Sequence, residues 1–523
     1  MLQDGTPRNQ IQFFALEETI ADDNPVRVID ALVDALDLQA LGFIMTGNAD
    51  TGREAYGSAV LLKLYLYGYL NRIRSSRRLE AECIRNIELW WLLRQLRPKY
   101  RSIAQFRAVN RKPLLQTFRA FNRFLNRQVL FGKTTLAVDG SKFRAQNSKK
   151  NNFNADKIKR QKEYILQKSE DYLQQLEQTD SDEEHELIEA KIAKQHERLE
   201  KYMDLENRLD QSDDRQISTS DPDARALPKH MGIVEVGYNI QSVVDDKYNL
   251  IAHFEVTNEK DDHALAQPAV EAKKELGLKK EDSVQVLADK GYHTGSQIQQ
   301  CHNENIQTFV AEKKRSDKKA DGFKKQDFIY LHKTDQYICP EGHHMQSNGN
   351  WYTKNKGKGR TEYRVKVYKL PFHVCNACPH RVKCAGQANL HNSKGRPIER
   401  SEYDRDLEIN ADRLKANPEI YKRRQQIVEH PFGTIKRQWG YDHTLLKTKE
   451  KVTADFALIF TCYNLRRSMS ILGVKELINL LKTDISALFS SFSAFFGISA
   501  LTVAPGSPFY FRRSPAPRRA WFS

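Results

Sequence analysis

Two short apolar runs, far apart in the chain, each lead to an aspartate that is followed closely by a glycine. They are Thr134–Ser141, which carries Asp139, and Ser283–Gly291, which carries Asp289. Apolar runs of this length are typical of buried strands, and a glycine marks the point where such a strand gives way to a turn. The pattern predicts two strands with one carboxylate at the end of each. The expected order between them, strand, insertion, hairpin, helix and strand, predicts a mixed sheet in which the two are neighbours.

A third acid stands in a basic stretch much later in the chain. Glu429 lies within Arg423–Arg437, a segment expected to be largely helical. Carboxylate oxygens are the ligands that Mg²⁺ prefers, and two such cations about 3.5–4 Å apart can activate an attacking oxygen and stabilise a leaving one at a phosphodiester. Each acid alone also fits an ordinary turn or a solvated surface position, so their order and their flanking residues decide the interpretation.

The order and the flanking residues resemble the bacterial insertion-sequence transposases of the DDE type, in the branch with a helical N-terminal domain and a ribonuclease-H-like catalytic core. The resemblance covers roughly residues 8–480. The motifs that carry it are Val138-Asp139-Gly140-Ser141-Lys142, Val236-Gly237-Tyr238-Asn239-Ile240-Gln241, Ala288-Asp289-Lys290-Gly291-Tyr292, and Val428-Glu429-His430-Pro431-Phe432-Gly433 with Lys436. These motifs in this order are far more specific than any one of them.

The resemblance implies an α/β fold, with a ribonuclease-H-like mixed sheet and an all-helical N-terminal domain. It also implies that the three acids hold two Mg²⁺ or Mn²⁺ ions, and that Lys436 contacts a DNA phosphate. Related transposases carry a tyrosine and an arginine shortly before the third acid, and Tyr421 and Arg424 resemble these DNA contacts. Arg424 departs from the pattern, because it lies five residues before the acid rather than the expected four.

The coarse pattern of the chain predicts three parts and two insertions. Residues 1–128 are expected to form the helical domain and 129–480 the catalytic domain, followed by a tail over 481–523. Within the catalytic domain, 146–216 is heavily charged with apolar residues at seven-residue spacing, which predicts two antiparallel helices. This hairpin is either simply solvated or lies against DNA or a second subunit. Residues 311–415 form a second, cysteine-rich insertion.

Basic residues are interleaved with the predicted helices of the N-terminal domain. Arg74, Arg77 and Arg78 surround a serine pair that is expected to start a helix. The chain has 83 Lys and Arg against 67 Asp and Glu, a formal net charge of +16, and a pI near 9.3, which favours a polyanionic partner. We therefore expect these arginines to contact the DNA at the element ends. A helical bundle with a solvated basic face would explain the composition equally well.

Four cysteines fall within the second insertion. Cys339 opens a Cys-Pro-Glu-Gly knuckle, and Cys375, Cys378 and Cys384 follow. A closed set of four thiolates fits a tetrahedral structural Zn²⁺ site. Four free thiols are the alternative, since only one of the cysteine pairs has a standard spacing. The histidines that could replace a cysteine are His343, His344 and His380.

Other features of the sequence concern the compartment and the tail. Seven cysteines in 523 residues, without an N-terminal signal peptide, favour a reduced cytoplasmic protein associated with the nucleoid. The uncharged stretch 485–504 has the length of a membrane span, but it contains six Ser or Thr residues and a glycine. A disordered or peripheral tail is therefore preferred, and no stable membrane association is expected.

Together these features predict the DNA transposase of an insertion sequence. It would bind the terminal inverted repeats as a homodimer or higher oligomer, cleave a phosphodiester at each end, and transfer the 3′-hydroxyl to target DNA by two-metal-ion catalysis. One alternative is a ribonuclease-H-like nuclease that cuts without joining. Another is an inactive, domesticated zinc-containing DNA-binding protein, whose properties would not depend on the acidic trio.

Overall fold

The structure, a computed structural model, describes residues 9–483 apart from 12, 45–54, 180, 213–215, 229–232, 260–263, 313–321, 356–361 and 386–394. From 484 onward the predicted tail lies outside the described residues. A helix over 474–483 buries Leu477 and Leu481, so the chain is still packed on the core where the tail was predicted to begin. Within the described ranges, no helix is both long enough and apolar enough to cross a membrane.

Six helices form the N-terminal part of the chain. They are α1 (Val26–Asp34), α2 (Ser58–Leu70), α3 (Ser76–Arg85), α4 (Ile87–Leu92), α5 (Tyr100–Val109) and α6 (Arg111–Arg127). Helix α2 is buried on nearly all sides, with Leu62 and Leu64 fully buried, as its apolar sequence predicts. Its one charged residue, Lys63, is buried with two partners, because its ammonium lies 2.6 Å from both Asp30 and Asp34 of α1.

The middle of the chain supplies a six-stranded mixed sheet, a two-stranded sheet and four helices. The elements are β1 (Thr135–Arg144), β2 (Asn152–Phe153), α7 (Ala155–Glu177), α8 (Asp182–Asp210), β3 (Ile217–Ser218), β4 (Arg225–Pro228), β5 (Val234–Asp245), β6 (Ile251–Thr257), α9 (Ala266–Glu275), β7 (Val284–Ala288), α10 (Gly295–Asn303) and β8 (Ile306–Val310). The six-stranded sheet has the order β4-β5-β1-β7-β8, and β6 also pairs with β5. Strand β1 is antiparallel to β5 and parallel to β7, which is parallel to β8.

The strand that carries Asp139 is longer than predicted. Strand β1 does not end at Gly140 but continues to Arg144, so Asp139 lies within the strand and not at its end. The reason is the neighbouring strand, because β5 pairs with β1 from Leu136 onward and places Gln241 opposite Gly140. A glycine weakens a strand interior but does not end the strand where a long partner supplies the ladder.

The first insertion is a helical hairpin, as predicted. Helices α7 and α8 pack against each other, and β2 and β3 pair at the base of the hairpin. Ile158, Ile165 and Leu205 are buried in it. Helix α8 begins with three acids over 182–184, which the positive end of the helix dipole stabilises. The hairpin therefore has a packed seam and a charged outer surface.

The second insertion and the closing helices complete the chain. They comprise β9 (Ile329–Leu331), β10 (Gln336–Ile338), β11 (His344–Ser347), β12 (Tyr352–Lys354), β13 (Tyr363–Lys369), α11 (Phe372–Asn376), α12 (Arg381–Ala385), β14 (Ile398–Ser401), α13 (Asp404–Ala416), α14 (Pro418–Phe432) and α15 (Lys449–Leu472). Strands β9 to β14 form a separate antiparallel sheet, in the order β12-β13-β11-β10-β9 with β14 beside β13. The small core of this insertion consists of Phe328, Tyr337, Met345, Tyr368 and Ile398.

One hydrophobic core joins the N-terminal helices to the central sheet. Helix α15 packs on α2, α6 and β6, and its Phe456 and Phe460 are fully buried. The Phe460 ring meets Phe254 of β6 at a centroid distance of 4.9 Å, and Phe254 meets Phe118 of α6 at 5.2 Å. The boundary predicted after residue 128 thus marks a change from helices to strands, while the packing is continuous across it.

Candidate active site

The two strand aspartates are brought side by side by the register of the central sheet. The last paired residues of the parallel strands β1 and β7 directly precede Asp139 and Asp289. Both aspartates are half-buried, and each carboxylate accepts a hydrogen bond from the next amide, Gly140 at 2.9 Å and Lys290 at 2.6 Å. The prediction that the two strands are neighbours is confirmed.

Glu429 lies on α14, which packs across β1, β5 and β7. Ile427 and Val428 are buried, whereas Glu429 is exposed and its carboxylate accepts a hydrogen bond from the side-chain amide of Gln425 at 2.7 Å. The helix is therefore fixed over the strands of the two aspartates, while the third carboxylate bonds within its own helix. Among the described residues, no group of three or more Asp, Glu, His or Cys side chains is arranged to hold a metal ion.

Tyr421 links the start of α14 to the paired aspartates. Burial raises the pKa of its hydroxyl, the Arg424 guanidinium lowers it, and the Asp289 carboxylate raises it, with a net upward shift. The Arg424 guanidinium carbon lies 6.0 Å from the centre of the Tyr421 ring. The preceding arginine is used elsewhere, because Arg423 pairs with Asp246 at 2.6 Å. The two residues predicted from the motif thus lie on the part of α14 that approaches Asp289.

Lys436 lies against strand β1. Its Nζ donates to the carbonyl of Lys142 at 2.7 Å and lies 4.1 Å from the centre of the Phe143 ring. Helix α14 continues through Pro431 and is followed by a π-helical turn, Gly433–Gln438, that carries Lys436. Lys436 lies seven residues after Glu429, and the segment between them is α-helical at first and then π-helical. The shared face expected of an unbroken α-helix does not follow, because a π-turn has more residues per turn.

A buried hydroxyl beside Asp139 was not anticipated from the sequence. Ser242 lies directly opposite Asp139 on β5, and residues paired in this way share a face of the sheet. The serine is fully buried, and its Oγ has no hydrogen-bond partner among the described residues. Leaving a buried hydroxyl unpaired costs about 1–3 kcal/mol. The signal in the sequence was one serine in an otherwise strand-forming run.

The three arginines predicted to contact DNA differ in exposure. Arg77 and Arg78 are exposed on α3, whereas Arg74 is buried. Arg74 donates to Asp455 of α15 at 2.5 Å and to the carbonyl of His443 at 2.9 Å. The expectation of a DNA contact at Arg74 is therefore corrected, because its guanidinium is enclosed in the core with an acidic partner.

Asp455 is the centre of a buried ionic cluster. Its carboxylate accepts a hydrogen bond from Tyr69 and lies 3.4 Å from Arg107, which itself donates to Tyr69 at 2.8 Å. Arg74, Arg107 and Asp455 are only 6%, 9% and 0% exposed. Burial raises the pKa of Asp455, but the two guanidinium groups oppose this and the net shift is downward, so the carboxylate stays ionised. A lone acid in the apolar run of α15 was the signal that could have found it.

The four cysteines predicted to bind zinc line a single cavity of about 40 Å³. All four are free and only partly buried. Burial raises the pKa of the Cys375 thiol, and the nearby thiols of Cys384, Cys339 and Cys378 raise it further. His343, one of the three substitute ligands, borders the same cavity. The four thiols thus border one cavity, but no three of them are arranged in this structure to hold a metal ion together.

Two family models match separate parts of the chain. The transposase domain DUF772 matches residues 14–109, and a transposase DDE domain matches residues 338–469, a range that contains Glu429. No curated protein matches the chain. Among solved structures, the chain is similar to a piggyBac transposase in a cryo-EM synaptic complex with hairpin DNA, at a TM-score of 0.31 and 10% identity over 92% of this chain and 83% of that one. A TM-score this low supports no conclusion about fold or function.

The chain carries two matched transposase domains together with paired aspartates on a mixed sheet, and these findings support a transposase. The match to a transposase DDE domain supports the DDE type, which confirms the resemblance drawn from the motifs. The match to the DDE domain supports an enzyme that cleaves DNA, and it therefore also supports DNA binding. Asp139 and Asp289 lie outside both matched ranges, so their assignment depends on the motifs and on the register of the sheet.

Proposed function

We propose that this protein is the transposase of an insertion sequence, which cleaves a phosphodiester at each end of its element and joins the 3′-hydroxyl to target DNA. The observation that carries the proposal is the pairing of Asp139 and Asp289 on adjacent parallel strands of a DDE-type chain. We also infer a ribonuclease-H-like core. Three antiparallel strands, β6, β5 and β1, continue into the parallel strands β7 and β8 in that spatial order.

Asp139, Asp289 and Glu429 are the residues that would hold Mg²⁺ or Mn²⁺. The donor set fits by its chemistry, because all three residues supply hard carboxylate oxygens and none of them is fully buried. Two bound ions would activate an attacking oxygen and stabilise a leaving one. To join the two aspartates, the Glu429 carboxylate must give up its hydrogen bond with Gln425 and turn towards the strands that carry them. Helix α14 already packs across these strands.

The DNA contacts fall into two groups. Tyr421 is close enough to Asp289 for that carboxylate to raise its pKa, and Arg424 lies over the Tyr421 ring, so we propose that these two residues position the strand around the scissile phosphate. The Lys436 ammonium can contact a phosphate only if it gives up its hydrogen bond to the Lys142 carbonyl. We therefore regard Lys436 as a support for β1 as well as a candidate DNA contact. We propose that Arg77 and Arg78, which are both exposed on α3, contact the terminal repeats. Two ends must be held together for joining, so a dimer or larger assembly is expected on DNA.

The test is incubation of the purified protein with Mg²⁺, labelled duplexes that carry the terminal repeats, and a plasmid target. End cleavage together with joined products supports the transposase. Cleavage that never yields joined products would indicate a nuclease instead. Specific end binding without any cleavage would indicate an inactive DNA-binding protein.

We further propose that one structural Zn²⁺ ion is held by Cys339, Cys375, Cys378 and Cys384. Four thiolates form a closed tetrahedral set, and these four line one cavity. The close approach of Gly395 supports a cavity built around sulfur, since a Cβ at this glycine would lie 2.6 Å from the Cys375 Sγ. The described part of the insertion has a small hydrophobic core of five clustered residues, and the binding free energy of a metal would add to its stability.

The zinc proposal is tested by metal analysis of protein purified without chelators, which should contain about one zinc per chain. Cys378→Ser should lower the zinc content and make the second insertion sensitive to protease. Cys301→Ser is the control, because this buried cysteine lies on α10 outside the insertion. Parent protein without zinc, or equal zinc loss in the control, would contradict the assignment.

A further inference from the structure

The segment that leads from β1 into the helical hairpin is strongly basic. Residues 142–160 contain seven Lys or Arg residues and one acid. Besides Arg144 at the end of β1, four of the cations are exposed, and these are Lys149, Lys150, Lys159 and Arg160. We call these four residues the basic ledge. Their side chains are not held in ion pairs with other described residues, so the ledge is a surface of positive charge open to solvent.

The basic ledge is a direct continuation of the catalytic strand. Asp139 and Lys142 lie on β1, and the carbonyl of Lys142 is held by the Lys436 ammonium at 2.7 Å. The end of β1 is fixed as well, because Thr444 donates its amide to the Arg144 carbonyl at 2.8 Å. A short connection then leads from β1 to the first lysine of the ledge. DNA seated at the paired aspartates would therefore run close to these cations.

A half-buried lysine, Lys157, holds the ledge in shape. The Lys157 ammonium donates to the carbonyls of Lys149, Lys150 and Asn152 at 2.9, 2.9 and 2.8 Å, and it lies 4.3 Å from the centre of the Phe153 ring. Burial lowers the pKa of Lys157. The Lys157 ammonium is therefore used in these internal bonds. They fix the backbone of Lys149 and Lys150, whose side chains are exposed.

Charge is segregated along the hairpin. The tip, at the start of α8, carries Asp182, Glu183 and Glu184, all exposed. It lies roughly 35 Å from the base, the length of a 23-residue helix at 1.5 Å per residue. A polyanion attracts the base and repels the tip, so this arrangement orients the hairpin towards DNA at one end only.

We propose that the basic ledge binds the sugar–phosphate backbone of the duplex next to the cleavage site. The inference rests on the proposed function, since it assumes that element-end DNA occupies the catalytic edge. It assigns the first insertion a role in holding DNA, where the sequence left a solvated hairpin, a DNA contact and a subunit contact open. The contact is to phosphates and is therefore independent of base sequence.

The experiment measures affinity for an element-end duplex as salt is raised from about 50 to about 200 mM, using the full-length protein. Each lost phosphate contact lowers the slope of log K against log [salt] by about 0.9. Lys159→Gln/Arg160→Gln should therefore reduce the size of the slope by about 1–2, and the variant lacking all four ledge cations should reduce it by about 3–4. The matched control is Lys191→Gln/Lys194→Gln, which removes two exposed cations further along α8 and should leave the slope within about 0.5.

Two failures are distinguishable. A parent protein that does not bind the end duplex would contradict the proposed function itself. A parent that binds with a clear salt slope, while the ledge variants behave like the control, would overturn only the role of the ledge. That second result would also be the outcome if the surface served an acidic protein partner.

Discussion

Replacing Asp455 with asparagine should destabilise the whole core. The substitution keeps the shape of the side chain but leaves Arg74 and Arg107, both at least nine-tenths buried, without their counter-charge. Removing one partner of a buried ion pair typically costs about 3–5 kcal/mol. With a urea slope of about 3 kcal/mol per M, the unfolding midpoint should fall by about 1 M or more. Tryptophan fluorescence during urea unfolding would measure the change.

The control for this prediction lies on the same helix. Glu450 pairs with Arg111 at 2.6 Å, but its side chain is 55% exposed, so Glu450→Gln should change stability by less than about 1 kcal/mol. A triple replacement of the buried cluster by apolar residues of similar volume should be less harmful than Asp455→Asn, because no charge is then left unpaired. An Asp455→Asn protein as stable as Glu450→Gln would refute the reasoning.

The pH dependence follows from the sign of the shift. Burial raises the pKa of Asp455, the two arginines lower it, and the net shift is below the ordinary value of about 4. A depressed folded-state pKa means that the stabilisation is fully present above the unfolded value and is lost as the pH falls through the folded value. The difference in stability between parent and Asp455→Asn should therefore be constant near neutral pH and shrink only below about pH 4.

Three further predictions test the packing around the site. Ser242→Ala should raise the melting temperature in EDTA, by an amount equivalent to about 1 kcal/mol, because the buried Oγ has no partner among the described residues; an unchanged or lower melting temperature would count against this. Lys436→Met should cost about 1–3 kcal/mol in urea unfolding, since the Lys142 carbonyl loses a charged donor; parent-like stability would show that the bond is dispensable. A fragment of residues 1–128 lacks α15 and should not fold as a monomer; a cooperative thermal transition of that fragment, followed by circular dichroism, would contradict the shared core.

Local sequence patterns predicted the helices and strands that depend on residues close together in the chain. The helical hairpin followed from seven-residue spacing. The neighbouring positions of Asp139 and Asp289 also followed, because the order strand, insertion, hairpin, helix and strand places the two strands side by side in a mixed sheet.

Long-range partners decided the features that were missed. Gly140 looked like the end of a strand, but β5 carries β1 past it, and nothing within the local sequence specifies that partner. Arg74 looked like a surface cation, but its partner Asp455 lies 381 residues later in the chain. A pattern confined to one segment cannot distinguish an arginine offered to DNA from one enclosed with a distant acid.

The order of secondary structure also concealed how the molecule is divided. The change from helices to strands after residue 128 suggested two domains, whereas α15 fills the space between them and makes the core continuous. Packing by a helix far along the chain can therefore join two parts that composition alone would divide into separate domains. The cysteine-rich insertion is different, because its sheet has a small core of its own.

The central claim is tested most directly by comparing end cleavage in the parent and in Asp139→Asn. Asparagine keeps the shape and one coordinating oxygen but removes the charge that offsets a divalent cation, so cleavage of labelled element ends in Mg²⁺ should be lost while end binding is retained. Asp282→Asn is the matched control, since this acid precedes the same strand that Asp289 follows and caps a turn by accepting the Lys279 amide at 2.7 Å. An Asp139→Asn protein that cleaves at the rate of the parent and of this control would contradict the account.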